Sequence, residues 1–208
     1  MGLRAVFFDV GETIVDESRD FFAWADRLGV PRHTFSAVFG AVVARGGDHR
    51  ETFEYFAPGL DPATGDHDPF GPDDLYPDAR PCLEALRAQG LRVGLAANQP
   101  PRAEAALRAM DLPVDVIGTS SGWGVSKPDD AFFVRLVEEA GCRPDELLYV
   151  GDRLDNDAKP AQRHGIATAF LRRGPWGYLR HDPQTLARCR FRLDSLAELP
   201  GLVLSSGR

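Results

Sequence analysis

The feature that most limits how this chain folds is a series of short, mostly apolar runs, each separated from the next by a stretch of helical spacing. The runs are Leu3 to Phe8, Leu91 to Ala96, Val114 to Ile117, Leu147 to Val150 and Ile166 to Leu171. A strand wetted on one face alternates apolar and polar residues, so these runs read as strands covered on both faces, as in a parallel sheet. Phe191 to Leu193 reads as a last, short edge strand. Helical spacing occupies Asp78 to Gln89, Pro101 to Met110, Asp129 to Ala140 and Asn156 to His164, with Gly90, Gly141 and Gly165 following three of them. Glycine directly after the last periodic residue is a helix stop. Strand and helix therefore alternate, which predicts an α/β fold, a Rossmann-like parallel sheet flanked by helices.

The interval from Val15 to Pro77 breaks that rhythm. It holds helical stretches at Phe21 to Leu28, Thr34 to Val43 and Arg50 to Phe56, then a loop rich in Pro, Gly and Asp from residue 57 to 77. The predicted organisation is an α/β core from residues 1–14 and 78–208, with a small helical insertion over 15–77. An insertion there sits over the carboxyl ends of the strands, where open parallel sheets bind ligands. Its aromatic residues, Phe21, Phe22, Trp24, Phe35, Phe39, Phe53, Tyr55 and Phe56, fall at helical spacings and read as the insertion's own core.

Composition removes several classes of function. The formal net charge of −7 disfavours a protein that grips a nucleic-acid backbone, which draws on surplus Lys and Arg. Cys82, Cys142 and Cys189 are far apart and lack CxxC spacing, so neither a disulfide framework nor a zinc site is implied. The first apolar stretch is too short for a secretory signal, and no run approaches the roughly 18 apolar residues of a membrane helix. The expectation is a cytoplasmic protein without a membrane partner, monomeric or homodimeric.

Several predicted strands end in polar residues that converge on one rim. Asp9 stands at the tip of the first, in Phe7-Phe8-Asp9-Val10-Gly11-Glu12-Thr13, and Asp152 at the tip of the fourth, in Tyr149-Val150-Gly151-Asp152. Carboxylates on adjacent strand tips repel unless a cation or proton intervenes. Magnesium suits such a set, being a hard ion that takes carboxylate, carbonyl and water oxygens. Lys127, before Pro128 and a helix, could hold the carboxylates together and offset a bound phosphate. Asn98, after the second strand, adds an amide donor. A carboxylate nucleophile, a metal and a cationic clamp make a phosphoryl-transfer site, because that chemistry is mostly positioning and charge stabilisation. Singly, each has a plainer reading: a turn residue at Asp9 or Asn98, helix caps at Asp152 and Asp157, a surface lysine at Lys127.

In series, Asp9-x-Gly11-x-Thr13, a strand leading to Asn98, Lys127-Pro128, and Gly151-Asp152 followed by Asp157 resemble the haloacid dehalogenase-like (HAD) hydrolase superfamily. The resemblance extends from Phe7 to about Leu199 and makes the insertion similar to that family's helical cap of the C1 type. It implies that Asp9 is the nucleophile forming an aspartyl intermediate and that Lys127 stabilises it and the bound substrate, with Asn98 facing the ligand. It also implies a magnesium site formed by Asp9, the backbone carbonyl of Gly11, Asp152 and Asp157, and a small phosphorylated metabolite as substrate.

The chain departs from the family pattern twice. Family phosphatases usually carry a second aspartate two positions after the nucleophile, as acid and base; here that position is Gly11. Such help is worth about 10²- to 10⁴-fold in rate. Ala97 stands where the family has a phosphate-binding Ser or Thr. Glu12 has the reach to substitute for the acid, but successive residues point in different directions. Two alternatives follow: a HAD-shaped protein with weakened catalysis that binds a ligand or partner, or a member that cleaves carbon–halogen bonds, which also lacks the second aspartate. The pair Asp152 and Asp157 argues against the latter, since dehalogenation needs no cation.

Three further segments stand out. Gly118-Thr119-Ser120-Ser121-Gly122 fits the G-x-S-x-G elbow of serine hydrolases, but Trp123 to Pro128 is expected to prolong the loop where the elbow needs a helix. Arg45-Gly46-Gly47-Asp48-His49-Arg50 reads as an exposed interhelical turn or as a loop touching substrate. Arg172-Arg173, just after a strand, is a candidate contact for an anionic substrate or a partner, whereas the other arginines between 163 and 192 read as a solvated face.

Overall fold

The computed structural model describes residues 2–62 and 70–206. Part of the predicted loop, residues 63–69, lies outside the described residues. The chain runs β1 (Ala5–Phe8), α1 (Ser18–Arg27), α2 (Arg32–Ala44), α3 (Glu51–Glu54), α4 (Ala79–Ala88) and β2 (Arg92–Ala97). It continues through α5 (Pro101–Ala109), β3 (Val116–Thr119), α6 (Ser120–Trp123), α7 (Asp130–Ala140) and β4 (Leu147–Gly151). The remainder is α8 (Lys159–Arg163), β5 (Ala167–Leu171), α9 (Gly174–Leu179), α10 (Pro183–Arg188), β6 (Phe191–Leu193) and α11 (Leu199–Ser206). The six strands form one parallel sheet in the order β3-β2-β1-β4-β5-β6.

The apolar runs are unbroken because both faces of the sheet are covered. Along β1, Val6 and Phe8 enter a core shared with α4, α5 and α11, whereas Ala5 and Phe7 enter a second core under α7 and α8. β4 divides the same way: Leu148 and Val150 on one side, Leu147 and Tyr149 on the other. Period-2 alternation thus separates two apolar faces rather than apolar from wet.

The helical stretch between β1 and α4 has a small core of its own, in which Trp24 meets Phe53 edge-on at 5.1 Å and Phe35 packs against Phe53 and Phe56. A second contact ties it to the sheet region, where Phe39 meets Trp176 of α9 edge-on at 5.3 Å. The chain leaves and returns through one narrow neck: Val15 bridges Leu75, and Tyr76 N donates to Ile14 O at 3.0 Å.

The differences from expectation are local. Strand ends shift by one or two residues, the usual uncertainty of such boundaries. The predicted helix from Asn156 to His164 is instead a π-helical turn, Leu154–Ala158, that runs into α8. Short helices α9 and α10, for which no helix was expected, each have proline in the first turn, where the missing N–H is harmless. The loop expected after β3 is a single helical turn, α6, capped by Thr119, whose hydroxyl accepts from Gly122 N.

Candidate active site

β1 and β4 lie side by side with Phe8 opposite Val150, and Asp9 N donates to Val150 O at 2.8 Å. The two tip carboxylates, Asp9 and Asp152, are therefore neighbours across the ladder. Oδ1 of Asp9 accepts from Val10 N at 2.8 Å and pairs with Lys127 Nζ at 2.8 Å, while its Oδ2 accepts no hydrogen bond from the described residues.

Lys127 is buried, and its ammonium is shared between Asp9 and Asp157, the latter at 2.6 Å. Burial alone would push this lysine down, but Asp157 and Asp9 outweigh it and hold the ammonium well above the ordinary lysine value. Asn98 orients the loop that carries it: its Oδ1 accepts from Lys127 N at 2.7 Å and its Nδ2 donates to Lys127 O at 2.8 Å. The side chain predicted to face the ligand is thus first a clasp between β2 and the Lys127 loop, lining the cleft while it does so.

Asp157 reaches the cluster because of the π-helical turn, a one-residue widening that often marks functional sites. Its Oδ2 accepts from Arg153 N at 3.0 Å, so neither Asp157 nor Asp152 caps a helix with its side chain. Gly151 makes the fold-back possible: a Cβ there would lie 2.6 Å from Asp157 Cγ. Asp9, Asp152 and Asp157 each offer an oxygen within 4.8 Å of the others. Burial and the neighbouring carboxylates push Asp152 well above the usual carboxylate range. Asp157 is raised by burial and Asp9, with Lys127 pulling it back, and comes to about 6. Oδ2 of Asp152 is fully buried without a hydrogen-bond partner among the described residues. An orphaned buried carboxylate oxygen beside two other acids, which share one ammonium, is a group of oxygens that could hold a hard divalent cation.

Glu12 does not face this cluster. It adopts φ +52°, in the left-handed region that favours glycine, and its Oε2 accepts from Tyr76 OH at 2.7 Å, its Oε1 from Glu17 N at 3.2 Å. Gly174 leaves it room, since a Cβ there would lie 2.6 Å from Glu12 Cγ. Glu17 does face the cluster. It lines the same cleft as Asp9, Gly11 and Asp152, and burial, followed by the charges of Glu12, Asp20 and Asp9, pushes its carboxyl well above the usual range.

The cleft has a volume of about 650 Å³, bounded below by the strand tips and above by the helical stretch. Gly46, Gly47, Asp48, His49 and Arg50 all line it, so this turn is part of its wall rather than a remote surface. Sequence reading did not single out Arg153, whose guanidinium pairs with Asp155 and lies 4.9 Å over Trp176. Arg172 and Arg173 do not line the cleft and pair with carboxylates of the chain itself. Arg172 pairs with Asp194; Arg173 donates to Thr13 O at 3.0 Å, pairs with Asp78 and stacks 4.0 Å over Tyr76, bracing the turn after Asp9. The G-x-S-x-G stretch does turn straight into a helix, but Ser120 bonds Gln99 and Ser121 bonds Thr119, and neither meets a histidine.

Comparison with known proteins agrees with this geometry. A protein-family model for hydrolases, haloacid dehalogenase-like hydrolase, matches residues 3–165. A glyceraldehyde 3-phosphate phosphatase of Methanopyrus kandleri is 34% identical over 109 residues, 49% of this chain and 45% of that protein. A phosphoglycolate phosphatase of Pseudomonas putida is 29% identical over 226 aligned residues, covering 95% of this chain and 79% of its own length. The aligned part spans about half the length of the first curated relatives. A dehalogenase crystal structure superposes with a TM-score of 0.70 at 21% identity, covering 97% of both chains, a likeness of fold alone. With the sheet order, the strand-tip acids and a family match over most of its length, the chain belongs to the haloacid dehalogenase-like hydrolases.

Proposed function

We propose that this protein is a magnesium-dependent phosphatase of small phosphorylated metabolites, with Asp9 as nucleophile and the helical stretch after β1 as a cap that shapes the substrate space. The observation that carries the reading is the crowding of Asp9, Asp152 and Asp157 around the single Lys127 ammonium, with Asp152 Oδ2 left unpaired. Three buried carboxylates beside one ammonium are poorly screened and favour taking up a proton or a cation. Asp9, Asp152, Asp157 and the Gly11 carbonyl would hold the ion. Bound there, magnesium would neutralise charge on the phosphate oxygens and let an anionic substrate approach an anionic nucleophile.

The chain's own groups then have definite tasks. Oδ2 of Asp9, which accepts no hydrogen bond from the described residues, forms the bond to phosphorus as the ester oxygen leaves, giving an aspartyl phosphate. Lys127 holds Asp9 in place and offsets charge on the transferring group. Asn98 fixes the Lys127 loop and retains one amide hydrogen for substrate. Hydrolysis of the intermediate by water releases phosphate and restores Asp9.

The test is turnover of a panel of small phosphomonoesters with magnesium and with chelator. Turnover that needs magnesium and falls by about 10⁴-fold or more in Asp9→Asn, the scale expected when a nucleophile is removed, supports the reading. No turnover in the parent on any phosphomonoester would overturn it. Dehalogenation, which the absent acid at position 11 also suits, would appear instead as metal-independent halide release; the unpaired Asp152 oxygen disfavours it.

A further inference from the structure

We propose that Glu17 is the acid–base residue of the site, standing in for the side chain that position 11 lacks; this rests on the phosphatase reading above. The space beside Gly11 is already filled. A Cβ built on Gly11 would lie 2.6 Å from Cδ and 2.8 Å from Oε2 of Glu17, closer than real Cβ atoms come, so a side chain at position 11 and the Glu17 carboxyl compete for one volume. The carboxyl therefore occupies the room a residue two after the nucleophile would use, while arriving from six residues further along.

Its surroundings match that task. Glu17 stands just before α1 but makes no capping bond, and none of the described residues hydrogen-bonds to its carboxyl. It is half-buried and lines the cleft together with Asp9 and Lys127, so its open side is toward the ligand space. The rival acid, Glu12, is held away from the cleft by Tyr76 OH and Glu17 N. The turn after β1 thus exchanges the two glutamates: the one adjacent in sequence is locked outside, and the one beyond is delivered inside.

In the first half-reaction the Asp9 oxygen bonds to phosphorus, the phosphorus–ester oxygen bond breaks, and the departing oxygen takes the proton of the Glu17 carboxyl, leaving as an alcohol. In the second, the Glu17 carboxylate takes a proton from water as its oxygen bonds to phosphorus and the Asp9–phosphorus bond breaks. Phosphate leaves, and Asp9 and the protonated Glu17 are restored.

The experiment compares kcat/KM of the parent and Glu17→Gln, shown folded by thermal melting, on an alkyl phosphate and on nitrophenyl phosphate with magnesium present. A nitrophenolate leaves unprotonated and an alkoxide does not, and kcat/KM reads the first transfer alone. The expected loss is about 10²- to 10⁴-fold on the alkyl ester and under about tenfold on the aryl ester. Gly11→Asp should also lose activity by crowding Glu17, whereas Gly11→Asp with Glu17→Ala should recover most of what Glu17→Ala loses. Equal losses on both esters, no loss at all, or a double variant as impaired as Glu17→Ala would overturn the assignment while leaving the phosphatase reading intact. A parent inactive on both esters, and on the wider panel, would remove that reading and this inference with it.

Discussion

The strand-tip cluster and the helical stretch above it differ in how they settle their charges. In the helical stretch, Glu17 at its entrance apart, exposed charged side chains pair locally, Asp26 with Arg32, Arg45 with Glu51 and Asp48 with Arg50, and the aromatic core beneath carries the packing. Exposed pairs of this kind contribute little to stability. At the strand tips the buried Lys127 pairs with two of three buried carboxylates, Asp9 and Asp157, and the third, Asp152, has one oxygen without a hydrogen-bond partner among the described residues. This cluster is balanced only when a proton or a cation is taken up, and this is why we propose it, rather than the acid-rich surface elsewhere, as the reactive centre.

Breaking the cluster should therefore act on turnover, and breaking the helical core on stability. Lys127→Met should lower kcat by about 10²- to 10³-fold, the scale of losing one preorganised charge-stabilising group, read in the phosphomonoester assay. Phe35→Ala, which removes a fully buried ring from the helical core, should lower unfolding free energy by about 3 kcal/mol in denaturant melts. Its kcat with saturating substrate should stay close to that of the parent.

The cluster also predicts a pH dependence opposite to that of ordinary paired carboxylates. Asp157, raised to about 6, and Asp152, raised well above its usual value, bind protons more readily folded than unfolded. Their contribution to stability is then present below the unfolded carboxylate pKa and lost as pH rises through the folded one. Metal-free protein should melt lower at pH 7 than at pH 5, magnesium should restore the difference at pH 7, and Asp152→Asn should melt higher than the parent without metal while losing the response to it. The smallest effect belongs to Tyr76→Phe. Removing the hydroxyl that holds Glu12 should cost about 1 kcal/mol in stability and leave kcat unchanged, because Glu12 lies outside the reaction.

How much of this was legible in the sequence follows the same division. Asp9 and Asp152 could be found because each ends an apolar run whose direction is set by a parallel sheet, and Lys127 because the proline after it marks a loop before a helix. Asp157 could be named only by its place in a motif series. Its reach depends on the π-helical turn at Leu154–Ala158, and one extra residue in a helical turn leaves no mark in side-chain periodicity. Glu17 was illegible for a related reason. Which glutamate enters the cleft is decided by the backbone of the Val10–Val15 turn, where Glu12 takes φ +52° and the chain closes hydrogen bonds onto Val10. Arg173 read as a free cation after a strand, and only the packed structure brings Asp78, Tyr76 and the Thr13 carbonyl around it.

The central claim concerns a covalent bond, so the most direct measurement is to look for it. Parent protein turning over a phosphomonoester with magnesium is quenched in acid, digested and read by mass spectrometry. The account predicts one added phosphoryl group on the peptide containing Asp9 and none in Asp9→Asn. Turnover without any such adduct, or with the phosphoryl group on another residue, would contradict it.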